Sequence, residues 1–107
     1  MSSMKMYRKD EVIAAEGEKA RCFYVLVDGK IGVFKNNHKI VEYSKAGVIV
    51  GELSRILNRP RNADIIALED SNLLSIEGEI EEIIRVYPDI SKKLIKTLAE
   101  RLADTTK

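Results

Sequence analysis

From Val12 to Ile76 the apolar residues come in short runs, each closed by a turn signal, and this rhythm leaves little choice of fold. "VIAAEGE" reaches a turn at Gly17, and "CFYVLV" runs into Asp28-Gly29, a dipeptide that favours a hairpin because both turn positions need φ > 0. "KIGVFK" alternates apolar and polar residues and ends at Asn36-Asn37, residues that tolerate the left-handed region. "KIVEYS" follows, the chain turns at Lys45-Ala46-Gly47, and Glu69-Asp70-Ser71 separates "NADIIAL" from "NLLSI". Strands recurring at roughly ten-residue spacing with tight turns between them predict a sandwich or barrel.

After Ile76 the apolar period becomes helical. Ile80, Ile83 and Ile84 share one face, as do Ile90, Leu94, Ile95, Leu98 and Leu102. Pro88 separates the two helices, with Asp89 or Ser91 as N-cap of the second. The chain of 107 residues therefore reads as one domain, mainly β with C-terminal helices: a β-barrel over about 8–77 and helices over about 78–104.

Charge and cysteine usage narrow the function. A net charge of +1 argues against a general nucleic-acid binder, which carries a basic face. No run approaches the ~20 apolar residues of a membrane span. The start, "MSSMKMYRKD", has no apolar core region, so a cytoplasmic protein with no membrane partner is expected. Cys22, the one cysteine, cannot form an internal disulfide, and its place in "CFYVLV" suits a buried structural thiol better than a reactive one. His38, the one histidine, falls in the turn "KNNHK" and is expected to be exposed, which leaves no histidine-rich metal site. Ser54 and Ser75 have no histidine base in view. The expectation is a binding module with no catalytic residues, metal or cofactor.

One stretch does not read as packing: "VGELSRILNRPRNADIIA", residues 50–67. Gly51-Glu52 enters a short helical turn near residues 52–57, where a glycine lets the backbone approach a ligand and the first N–H groups point outward. Arg61 begins the next strand and presents a planar fork suited to phosphate or carboxylate. Glu52 only accepts, so it wants a hydroxyl donor or the arginine itself. A ligand with an anionic group beside a hydroxyl, such as a sugar phosphate, satisfies both. An internal Glu52–Arg61 ion pair with no ligand is the other reading.

"GELSRILNRPRNA" resembles the phosphate-binding cassette of cyclic nucleotide-binding domains, and "EGEKARCFYVLVDGKIGVFK" and "YPDISKKLIKTLAERL" resemble that family's strands and closing helix. The resemblance covers about residues 8–107, and catabolite activator-type regulators and kinase regulatory subunits are the forms it brings in. It implies a jelly-roll β-barrel, the cupin-like double-stranded β-helix, followed by two helices. It also implies a sensor for cyclic AMP (cAMP) or cyclic GMP (cGMP). By the same resemblance Glu52 accepts from the ribose 2′-hydroxyl and Arg61 pairs with the cyclic phosphate. Backbone at Gly51, Leu53, Asn62 and Ala63 approaches the ligand, and Thr105 and Thr106 stand where base contacts fall.

Departures from the pattern leave a second reading open, a degenerate fold serving as a protein-interaction scaffold. Asn62 does not choose between adenine and guanine, and an inward Asp64 would weaken anion binding. Arg55, Arg59 and Arg61 form a basic cluster that is either a solvated face or a seat for a cyclic dinucleotide. No direct DNA binding is expected, and action through a protein partner or homodimer is. The stripe Leu94, Ile95, Leu98 and Leu102 either folds back or pairs with a second chain. In the mechanism the resemblance implies, ligand draws the cassette and the C-terminal helices together.

Overall fold

The computed structural model describes residues 2–105, and its contacts divide into two units, one ending at Glu77 and one starting at Gly78. In the first unit the strands are β1 (Ser2–Tyr7), β2 (Val12–Ala14), β3 (Cys22–Asp28), β4 (Ile31–Lys35), β5 (His38–Tyr43) and β6 (Ile49–Val50). A short helix α1 (Glu52–Ile56) follows, then β7 (Asp64–Ala67) and β8 (Ser71–Glu77). They form two antiparallel four-stranded sheets, ordered β1-β8-β3-β6 and β2-β7-β4-β5. With the C-terminal helices, this is the expected mainly β jelly roll.

Among the described residues only β4 and β5 are joined as a hairpin within one sheet, at Asn36 and Asn37, whose φ of 52° and 64° are the left-handed pair that such a turn demands. Every other consecutive pair of strands changes sheet. The hairpin expected at Asp28-Gly29 is therefore corrected: β3 is flanked by β8 and β6, so no edge is open to β4. Gly29, with φ 101°, is a corner between sheets, and a Cβ there would lie 2.6 Å from Asp70 O and Ser71 Cα. The neighbouring β7–β8 crossing is stitched to it, since Leu68 N–H donates to Lys30 O at 2.8 Å and Lys30 N–H donates to Ser71 Oγ at 3.0 Å.

The strands start before residue 8. All of β1 pairs with β8, from Ser2 opposite Ile76 to Tyr7 opposite Ser71, yet its side chains are largely exposed, Met6 by 72%. An edge strand held by main-chain bonds carries no apolar alternation to read. Between the sheets lie Tyr24, Leu26, Ile31, Ala67 and Leu73. Each fully buried aliphatic side chain of this kind contributes about 1.5–3 kcal/mol relative to exposure.

The second unit holds α2 (Ile80–Val86) and α3 (Pro88–Thr105). Pro88 is the first residue of α3, where its missing N–H costs nothing. Asp89 and Ser91 thus lie inside the helix, not at its cap, and Ser91 Oγ donates to Tyr87 O at 3.0 Å. The expected apolar stripe also splits. Leu94 is buried, whereas Ile95 and Leu102 are 70% and 65% exposed, as is Ile84 by 56%. A step of one residue rotates about 100°, which carries Ile95 off the face of Leu94.

Candidate functional site

Arg61 organises the end of the first unit. Its main chain is held by the loop between β2 and β3: Gly17 N–H donates to Arg61 O at 2.8 Å, and Arg61 N–H donates to Glu18 O at 2.8 Å. Lys19 bridges to Pro60 in the same register. The side chain then runs inward until it is only 6% exposed. Nη1 donates to Gly51 O at 2.7 Å and Nη2 to Cys22 O at 2.7 Å, with Cys22 Sγ 3.9 Å from Nη2. The guanidinium carbon lies 5.7 Å from the centre of the Tyr24 ring, within cation–π range.

These partners are two carbonyls, a sulfur and a ring face; none is a carboxylate. A buried cation normally has a counter-ion, because desolvation of an isolated charge is costly. The internal Glu52–Arg61 ion pair considered from the sequence is not among them. Arg61 instead ties the cassette, through Gly51, to strand β3, through Cys22.

Gly51 has a local reason to be glycine. It sits in the left-handed region at φ 76° as N-cap of α1, and a Cβ there would come within 2.7 Å of Arg61 Nη1. Glu52, the first residue of α1, is 1% exposed, and a carboxylate suits the positive end of a helix. Leu53, beside it, is 48% exposed. Asn62 is exposed and Ala63 half-buried, and Asn62 O accepts from Lys35 Nζ at 2.7 Å. Asp64, whose direction the sequence left open, accepts Glu16 N–H on Oδ1 at 2.7 Å, so its carboxylate is engaged in holding the β2–β3 loop.

The structure thus brings Gly51 and Arg61 into contact and sets Glu52, Leu53, Asn62 and Ala63 next to them in the chain. Thr105 ends α3 in the second unit, where its Oγ1 donates to Leu102 O at 2.8 Å. Thr106 lies outside the described residues. Cys22, Tyr24 and the loop 15–18 were not singled out from the sequence as parts of the site. The turn at Gly17 was legible, but nothing local said that its partner would be Arg61.

Tyr24 donates its hydroxyl to Ile13 O at 3.5 Å, and burial, with the Cys22 contact next, pushes its pKa well above that of a free phenol. Cys22 is a buried free cysteine, and His38 is exposed at the start of β5. Among the described residues no group of three His, Cys, Asp or Glu is placed to hold a metal, and no helix is long and apolar enough to cross a membrane.

The sequence profile of the cyclic nucleotide-binding domain matches residues 4–87. The chain belongs to that family. This cyclic nucleotide-binding domain is 32% identical over 91 residues to the Pycsar effector protein XpPycTIR of Xanthomonas perforans, covering 83% of the chain and 30% of that protein. It is 28% identical over 105 residues to the cyclic AMP receptor protein of Thermus thermophilus, covering 94% of the chain and 49% of that protein. The chain therefore spans less than half the length of either relative. Among solved structures, the catabolite activator protein of Thermus thermophilus superposes with a TM-score of 0.85 at 23% identity, over 98% of this chain and 52% of that one. A cAMP-bound PfPKA-R superposes with a TM-score of 0.75 at 29% identity, over 92% of this chain and 34% of that one.

Proposed function

We propose that this domain is a sensor whose cassette binds a cyclic mononucleotide, with Arg61 pairing with the cyclic phosphate and Glu52 accepting from the ribose 2′-hydroxyl. The observation that carries this reading is the Arg61 guanidinium, 6% exposed and partnered by carbonyls, not by a carboxylate. Its five donors exceed the two carbonyls it reaches, so a phosphate adds charge-assisted bonds without a competing counter-ion. Gly51, Leu53, Asn62 and Ala63 supply backbone close to that phosphate.

The family membership and the cAMP in the PfPKA-R structure support the ligand class. Engagement of Asp64 by the Glu16 N–H weakens the main argument for a scaffold that binds no nucleotide. The domain acts by binding and not by catalysis, in a cytoplasmic setting, and passes its signal to a protein partner or a second copy of itself. Any shift of the C-terminal helices is bounded by the ligand's difference in affinity between their two positions.

Calorimetric titration of nucleotide-free protein with cAMP, cGMP and a cyclic dinucleotide tests the reading. Micromolar or tighter binding of a cyclic mononucleotide is expected, with protection from hydrogen exchange rising over residues 78–104. A folded protein that gives no heat with any of the three would leave the scaffold in its place.

A further inference from the structure

We propose that the first unit holds a second binding site, for a small anion, in the cavity on the Cys22 side of Arg61. This cavity has a volume of about 230 Å³ and reaches Arg61, yet it is lined by none of Gly51, Glu52, Leu53, Asn62 or Ala63. It is therefore a different space from the cassette surface, and the guanidinium stands between them, with Nη1 on Gly51 and Nη2 on Cys22.

The lining selects the ligand. Ile13, Ala14, Cys22 and Tyr24 line the floor but are themselves buried, so the surface facing the cavity is mainly polar. Lys5, Lys19 and Arg21 are exposed at the rim, and among the described residues none of their side chains is engaged in an ion pair. The two carboxylates of the lining are Glu18 and Glu77, and Glu18 Oε1 already accepts Ala15 N–H at 2.5 Å. With Arg61, four cations face two carboxylates, so the field inside favours an anion.

The volume lies below the roughly 300–1,000 Å³ of pockets for drug-sized ligands, which argues for an occupant smaller than a nucleotide. A small carboxylate or a phosphate fits the space and meets the cationic rim. An anion reaching Nη2 also competes with Cys22 O for the guanidinium, so occupancy antagonises binding at the cassette. That last step rests on the nucleotide reading; the site itself does not.

Amide chemical shifts of the whole chain, followed during titration with benzoate and inorganic phosphate, test the site, with benzyl alcohol as the neutral control. Saturable shifts at Lys19, Arg21, Cys22 and Tyr24 are expected with the two anions. A loss of at least tenfold in affinity is expected in the double variant Lys19→Glu/Arg21→Glu, whose side chains are exposed. Absence of saturation, equal response to benzyl alcohol, undiminished binding in the double variant, or shifts confined to residues 51–63 would each overturn the proposal. The same spectra followed with cAMP report on residues 51–63. Failure there with the anion response intact removes the nucleotide reading alone, and the converse removes this one.

Discussion

Gly17 donates its main-chain N–H to the carbonyl of Arg61 at 2.8 Å, 44 positions along the chain, while Asp64 accepts the N–H of Glu16 from the other side at 2.7 Å. Arg61 does not begin the next strand as the sequence suggested: β7 starts three residues later, at Asp64, and the arginine's backbone is set by the loop. In Asp64→Ala the loop loses an acceptor, and a charge-bearing hydrogen bond of this kind is worth about 1.5–3 kcal/mol. Denaturant unfolding is expected to report a loss toward the low end of that range, because the site is partly solvated. Nucleotide affinity should stay level or fall. A rise in affinity would mean that Asp64 acts on the phosphate after all.

Gly51→Ala brings two penalties together. A residue with a Cβ pays about 1–2 kcal/mol in the left-handed region, and here that atom would also meet Arg61 Nη1 at 2.7 Å. The guanidinium must move, and cyclic nucleotide affinity is expected to drop at least tenfold, read by calorimetry. Leu53→Ala, at a 48% exposed position two residues beyond Gly51, is the control and should change stability by under about 1 kcal/mol.

Arg61 has a structural role in the hydrogen bonds to Gly51 and Cys22, and the proposed function gives it a second role as a ligand group. Arg61→Ala leaves the carbonyls of Gly51 and Cys22 without their donor, so stability should fall by about 1–3 kcal/mol along with the loss of binding. Arg61→Lys separates the roles: the charge remains, the planar fork does not. A domain that melts close to the parent temperature but binds at least tenfold more weakly is expected, a factor equivalent to about 1.4 kcal/mol. Equal affinity would remove the bidentate phosphate contact.

Tyr24 gives a test in alkaline solution. Burial raises its pKa in the folded state, with the hydrogen bond to Cys22 the next cause, whereas the unfolded chain titrates near the ordinary value of about 10. Below that value both states hold the proton and the stabilisation is complete. Above it the unfolded state loses its proton first and is favoured, so stability falls as pH rises toward the folded-state pKa. Thermal unfolding of the parent and of Tyr24→Phe should diverge above about pH 10, with the variant declining less steeply.

The local features of the fold were legible where a residue's own conformation decided them. Asn36-Asn37 announced the β4–β5 hairpin, Gly51 the entry to α1, and Pro88 the break between α2 and α3. What the sequence hid was set by pairing across long separations. Asp28-Gly29 reads as a hairpin in isolation and becomes a corner only because β8 and β6 already flank β3. β1 has an exposed edge strand's pattern and no signal of its own. In the site, Arg61 and Gly51 were recognised from their chemistry and from the family resemblance. Cys22 contributes a main-chain oxygen, which any residue possesses, so no side-chain pattern could reveal it.

The central claim is that the buried charge of Arg61 meets a cyclic phosphate. The most direct measurement follows the guanidinium Nη resonances of Arg61 by nitrogen-15 NMR while cAMP or cGMP is added. The expected result is a saturable shift of both Nη signals, slower exchange of their protons and a parallel phosphorus-31 shift of the nucleotide. Saturable nucleotide binding that leaves the Arg61 Nη signals in place would contradict it.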